Sequence, residues 1–274
     1  MTGAHSGPGD VKRTPCANDA LELSVVIPVF NESRRLPATL AAVLGHLHDL
    51  GVRWELVLSD DGSTDDTYTI AIAAARHDSR VRVVRHPDNR GKGHAVRVGV
   101  ALTRGRRVLL CDADLATPIA ESTRLCAALD AGFDAAIGSR GPALAVVRPP
   151  LRRALSEVGG RLIRALALPG TVDTQCGFKL FDGDRARAAF ARASVDGWAF
   201  DIEVLRIFLG FGWHVVEVPV AWTHQDGSKL RAGHCVAVLG DLARIRLRYG
   251  PPPTPGATAP GAPAPARIPP GRAA

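Results

Sequence analysis

Four short apolar runs, residues 23–29, 54–59, 81–84 and 108–111, recur early in the chain with a stretch of helical period in each interval. The runs are rich in Val, Ile and Leu and too short for buried helices, so they read as strands. In the first interval Leu36, Leu40, Val43, Leu44 and Leu47 keep helical spacing; residues 67–76 and 93–103 fill the other two. Strands alternating with helices imply an α/β fold with a mostly parallel, doubly wound sheet. Later segments continue it less regularly. Helices are expected over 123–129, 151–168, 200–210 and 236–249, and strands over 135–140, 178–181 and 215–220. One domain over residues 21–250 accounts for all of these. Residues 1–20 and 251–274 are expected to be disordered; the latter hold nine of the twenty prolines.

In such sheets ligands bind outside the carboxyl ends of the strands. Residues 30–32, 60–61, 90–93 and 112–114 each follow a strand, so the topology brings them to one edge. Asp112 and Asp114 are the centre of that set. At period 2 their carboxylates point the same way, and two hard oxygen donors suit a divalent cation that keeps positions open for phosphate. Glu32 and Asp61 can accept hydrogen bonds from a nucleobase N–H or a ribose hydroxyl. Lys92 stands between Gly91 and Gly93 ahead of a helix, a setting for phosphate, although the segment lacks the spacing of a P-loop.

Composition narrows the partners. Lys+Arg 34 against Asp+Glu 27 gives a net charge of +7, which favours an anionic ligand or surface. Aromatic content of 5% and the absence of a binding motif argue against nucleic acid. The five cysteines are scattered with no C-x-x-C pair, which points to reduced thiols in the cytoplasm rather than disulfides or zinc. No apolar run approaches membrane-spanning length, and the polar N-terminus lacks a signal-peptide core.

Residues 24–32, 59–65 and 112–114 together resemble the hallmark segments of the inverting glycosyltransferase family 2, whose fold is the Rossmann-like GT-A domain. Residues 138–140, 173–181, 198–203 and 226–230 resemble its dolichyl-phosphate β-glucosyltransferase and polyprenyl-phosphate glycosyltransferase branch. The likeness covers about residues 21–248. It implies transfer of a sugar from a nucleotide donor to a polyprenyl phosphate, with Mg²⁺ or Mn²⁺ as cofactor. A UDP-sugar (UDP-glucose or a UDP-N-acetylhexosamine) is favoured as donor, with GDP-mannose the alternative. The resemblance places the nucleotide sugar against Pro28, Phe30, Glu32, Asp60, Asp61, Lys92, Asp112, Ala113, Asp114, Gln175 and Lys229. Asp112 and Asp114 would hold the metal, and Arg140 and Arg152 the acceptor phosphate. Asp112, Asp114, Arg140 and Asp201 are the catalytic candidates. Asp173 and Glu203 join Gln175 and Asp201 as polar residues among apolar neighbours that could meet sugar hydroxyls. Ala116 stands where a related subgroup has a glutamine, so this segment offers no third ligand. A lipid acceptor implies an enzyme that is peripheral on the inner membrane face or that borrows a membrane partner, and the basic amphipathic stretches 151–168 and 236–249 either lie on an acidic leaflet or pack against the sheet. A family 2 enzyme with a non-lipid acceptor, and a nucleotide-binding protein without turnover, are the competing readings.

Overall fold

The computed structural model describes residues 21–140, 174, 176–223, 225 and 232–251. Seven strands occur among them: β1 (Leu23–Val29), β2 (Trp54–Asp60), β3 (Val81–Arg85), β4 (Arg107–Leu110), β5 (Ala135–Ser139), β6 (Lys179–Asp182) and β7 (Val215–Pro219). The helices are α1 (Leu36–Asp49), α2 (Thr67–His77), α3 (Lys92–Ala101), α4 (Ser122–Asp130), α5 (Gly183–Arg192), α6 (Phe200–Gly210) and α7 (Ala232–Tyr249). The strands form one sheet in the order β3-β2-β1-β4-β6-β5-β7. β6 runs antiparallel to both β4 and β5, while the other described pairings are parallel.

The alternation within the strands explains the two layers. On β1, Val25, Ile27 and Val29 face a core with Leu36, Leu40 and Val43 of α1 and Leu125 of α4. Val26 points the other way, into a core with Val96 and Val100 of α3 and Ile202 and Phe208 of α6. Both faces are covered, which is why these strands read as continuous apolar runs. Each fully buried Val, Leu or Ile contributes about 1.5–3 kcal/mol.

Two elements differ from the sequence expectation. The closing helix begins at Ala232 rather than at 236. Helix α5 was not expected at all, because its arginines hide a narrow apolar stripe. Ala186, Ala189 and Phe190 bury that stripe, and the Asp182 carboxylate accepts the Arg185 N–H as its N-cap. The amphipathic helix expected over 151–168 and the terminal residues 1–20 and 252–274 lie outside the described residues.

The register positions the candidate site. Val29 stands opposite Asp60, and Asp60 opposite Arg85. β4 stops earlier, with Leu110 opposite Val26, so the chain turns away at residues 111–114 while β1 continues. The insertion of β6 between β4 and β5 separates their ends by two strand spacings, about 10 Å.

Candidate active site

The turn after β4 is held from beneath. Thr39 Oγ1 of α1 donates to the Ala113 carbonyl at 2.6 Å, and Cys111 N–H donates to the Val26 carbonyl at 3.1 Å. Asp112 to Asp114 therefore lie in a turn, not on a strand, and Leu115 follows at φ 47. The alternation argument for the two carboxylates does not carry over, but a common target does. The Lys92 ammonium sits 2.6 Å from Asp112 Oδ1. Burial would lower the pKa of Lys92, but Asp112, Asp201 and Asp114 outweigh it and raise it. Asp114 Oδ1 also accepts the Ala116 N–H at 3.1 Å.

Lys92 opens α3, and Gly91 before it has φ 114. A Cβ at Gly91 would lie 2.5 Å from the Asp196 carbonyl oxygen, so the turn admits no side chain there. Asp61 organises this turn. Its Oδ1 accepts Arg90 N–H at 3.0 Å and its Oδ2 accepts Gly91 N–H at 2.8 Å. Burial raises the Asp61 pKa against these two hydrogen bonds. Asp196 holds the turn from the other side, with Arg90 Nη2 at 3.1 Å and Arg97 as a second partner. Nothing in the sequence marked Asp196, because it lies far from Arg90 along the chain.

Asp60 is wholly buried. Its Oδ1 accepts Ser63 N–H at 3.1 Å, whereas Oδ2 has no hydrogen-bond partner among the described residues and faces Arg85 Nε at 3.5 Å. Asn31 at φ 51 ties the loops after β1 and β2 together, accepting Thr64 N–H at 2.8 Å. Glu32 beside it pairs with Arg35 at 3.2 Å. The Asp65 carboxylate accepts from Thr67 and from Ser33; burial opposes these bonds, and the net effect pulls its pKa down to about 2. Asp65 thus acts at the start of α2.

Pro28, Lys92, Asp112, Gly177, Lys179 and Asp201 border one small cleft. Phe30 lies just past the end of β1, half-buried. Asp201, in the first turn of α6, meets Lys179 Nζ at 2.8 Å. Burial raises the Asp201 pKa, with Lys179 and then Lys92 opposing. The signal for Lys179 was a lysine inside the apolar F-K-L-F run. Glu203 does not face this cleft. It accepts Ser194 N–H at 2.8 Å, Val195 N–H at 2.7 Å and the Tyr249 hydroxyl at 3.0 Å, and so fastens α7 to the segment before α6. Arg140 follows β5 and lies 5.5 Å from the Trp222 ring. Arg152, Asp173, Gln175 and Lys229 lie outside the described residues.

Asp112 and Asp114 suit a hard divalent cation in kind, and Asp112 already attracts an ammonium. Among the described residues no group of three or more His, Cys, Asp and Glu could hold a metal ion. Any ion at this turn would complete its coordination with phosphate oxygens and water, as Mg²⁺ characteristically does.

Known proteins resemble this chain in sequence and in fold. The family profile described as Glycosyl transferase family 2 matches residues 24–184. The chain is 38% identical to a dolichyl-phosphate beta-glucosyltransferase of Drosophila melanogaster, over 84% of this chain and 76% of that protein. It is 36% identical to that of Homo sapiens (83% and 76% covered) and 32% identical to that of Saccharomyces cerevisiae (85% and 76%). Among solved structures, glucosyl-3-phosphoglycerate synthase from Mycobacterium tuberculosis with Mn²⁺, UDP-glucose and phosphoglyceric acid aligns with a TM-score of 0.63 at 23% identity, covering 85% of this chain and 81% of that one. Mannosyl-3-phosphoglycerate synthase from Rubrobacter xylanophilus aligns at 0.64 and 18%, covering 89% and 79%. These structural likenesses concern the fold, which is the GT-A fold.

Proposed function

The chain belongs to glycosyltransferase family 2, and on that premise we propose that it transfers glucose from UDP-glucose to a polyprenyl phosphate of the dolichyl type. The observation that carries this reading is the Lys92–Asp112 contact at 2.6 Å, which puts a cation and a metal-type carboxylate at the sheet edge where the nucleotide motifs converge. Relatives named for dolichyl phosphate and glucose supply the acceptor and the sugar.

The chemistry follows from the charges. Asp112 and Asp114 would hold Mg²⁺ or Mn²⁺, which when bound neutralises charge on the departing UDP. Lys92 supplies a second positive charge to the same diphosphate. Glu32, Asp60 and Asp61 line the nucleoside side of the edge. An oxygen of the acceptor phosphate attacks C1 of the sugar, the C1–O bond to the β-phosphate breaks, and the anomeric centre inverts to the β-linked product. The nucleophile is already anionic, so no base has to remove a proton. Arg140, just past the end of β5, would receive that phosphate, and a guanidinium suits it.

The acceptor also accounts for the outer face of α7. Leu247 is 86% exposed and Leu239 50%, and Arg244 and Arg248 are exposed on the same helix. Leucines set among arginines fit an anionic leaflet. Among the described residues no helix is long and apolar enough to cross a membrane.

A donor screen tests the proposal. Protein, Mn²⁺ and a short polyprenyl phosphate are incubated separately with UDP-glucose, UDP-galactose, UDP-N-acetylhexosamines and GDP-mannose, and the lipid is examined by mass spectrometry. The expected result is a hexosylated lipid with UDP-glucose. Transfer only from GDP-mannose would replace the donor. Donor hydrolysis without lipid product would reject the acceptor.

A further inference from the structure

We infer that Lys179 is a positioning residue of the donor site: its buried ammonium fixes the 176–177 turn against Asp112 and keeps Asp201 from capturing Lys92, which is thereby left to the donor's diphosphate. This inference rests on the glycosyltransferase reading of the same site.

Lys179 is only 1% exposed. On β6 it stands opposite Leu110 of β4 and Ile137 of β5, between the strand that leads to Asp112 and the strand that leads to Arg140. A buried ammonium needs its protons occupied. Two acceptors meet it: the Cys176 carbonyl, and Asp201 Oδ1 at 2.8 Å. The first bond closes the short turn that enters β6. Gly177 lies in that turn, and a Cβ built on it would stand 1.9 Å from Asp112 Oδ2 and 2.3 Å from its Cγ. The backbone at Gly177 therefore forms one wall for the Asp112 carboxylate. The same turn is tied to β5, since Gly138 N–H donates to the Phe178 carbonyl at 2.9 Å. Lys179 thus holds a turn that touches both the donor and the acceptor side.

The second bond concerns charge. Lys92 is influenced by Asp112, Asp201 and Asp114, and Asp201 by Lys179 and Lys92. Two carboxylates, Asp112 and Asp201, and two ammoniums share the cleft. With Lys179 present, Asp201 has its own counter-ion at contact distance, and Lys92 pairs with Asp112 on the open side. Without it, the buried Asp201 carboxylate would have Lys92 as its nearest cation, and Lys92 would be drawn inward, away from a diphosphate. A lysine that only filled core space would affect folding stability and leave ligand affinity alone.

The test is binding of UDP with Mn²⁺, measured by titration calorimetry on the full chain, alongside thermal melting. Lys179→Met retains the length of the side chain without its charge. It is expected to weaken UDP·Mn²⁺ binding about tenfold, the effect of one lost charge-assisted contact. Gly177→Ala tests the wall separately and is independent of any buried charge. It should raise the half-saturating Mn²⁺ concentration about tenfold, read from the water-proton relaxation of Mn²⁺, with little change in melting temperature. Should Lys179→Met fail to fold, Lys179→Gln, which keeps N–H donors for Cys176 and Asp201 without the charge, is read in its place. Either variant folded and binding as tightly as the unaltered protein would overturn the inference. Absence of UDP·Mn²⁺ binding by the unaltered protein would overturn the donor-site reading on which it rests.

Discussion

Strand β2 carries a buried carboxylate at each end, and the two are treated in opposite ways. Glu55, near its start and 2% exposed, is saturated by the chain itself. Its Oε1 accepts from Ser24 Oγ at 2.8 Å and Arg104 N–H at 2.7 Å, and its Oε2 from Arg104 Nη2 at 3.0 Å and Arg82 Nη1 at 3.2 Å. Asp60, at the carboxyl end and wholly buried, has one oxygen without a hydrogen bond among the described residues. Buried polar atoms in folded proteins are nearly always paired, so an oxygen left open marks a place kept for something else. The amino edge of the sheet is built for stability. The carboxyl edge also gathers the positive φ angles of Asn31, Leu115 and Gly91 and the lysine–carboxylate cleft. Local departures from regular geometry are expected where a site is held ready.

The contrast breaks most visibly at Asp112. Asp112→Ala removes a metal-type carboxylate from a turn held by backbone bonds and Thr39, so the fold should remain and the melting temperature should change little. Transfer should fall by about 10³-fold, the scale for losing one electrostatic element of a transition state, as measured by steady-state product formation. Loss of folding instead would make the carboxyl edge structural, like the amino one. At that amino edge Glu55→Gln should do the reverse. Part of the cluster loses its acceptor, and unfolding in urea should show a loss of about 2–3 kcal/mol, below the usual cost of a broken buried pair because Arg104 and Arg82 reach solvent. KM for the donor should stay the same. The pH dependence carries a sign. Burial pushes the Glu55 carboxyl up, but hydrogen bonds from Ser24, Arg104 and Arg82 outweigh it, and the net shift is downward. Its contribution is therefore complete above the ordinary carboxylate range and disappears as pH falls through the lowered value. Glu55→Gln should flatten that acid limb of the stability curve.

The difference between the edges also decides what was legible in the sequence. Alternating apolar runs marked β1, β2, β3 and β4, because period and β-branching are local properties. The turns after them showed their chemistry directly, since Asp, Asn and Gly clusters are short-range signals. Helix α5 escaped because a stripe of Ala186, Ala189 and Phe190 is weak beside its arginines. Glu55 and Asp196 escaped for a different reason. Each is defined by partners far along the chain, Arg104 for one and Arg90 and Arg97 for the other, and no local pattern encodes such a meeting. Glu203 shows the same limit from the other side. Within its motif it reads as a ligand to sugar, yet its oxygens hold Ser194, Val195 and Tyr249.

The finest test neutralises the other end of the same strand. Asp60→Asn alters charge with almost no change of shape, as Glu55→Gln does. Oδ1 can still accept from Ser63 N–H, and the new amide replaces an oxygen that had no hydrogen bond. What the fold loses is the longer approach of Arg85 Nε at 3.5 Å, a partner that is itself nearly half exposed. The buried amide hydrogens find no acceptor and face a guanidinium, so stability should fall by about 1–3 kcal/mol. If the open oxygen is reserved for the nucleotide, UDP binding should weaken about tenfold, since an amide NH₂ cannot accept the hydrogen bond that a carboxylate oxygen can. Calorimetric titration of UDP and urea unfolding on the same preparation read the two effects together. Weakened binding with no larger loss of stability would make the two ends of β2 complementary devices. Lost stability with unchanged binding would show that Arg85 and Asp60 form a structural pair, and that the amino-edge logic extends along the whole strand.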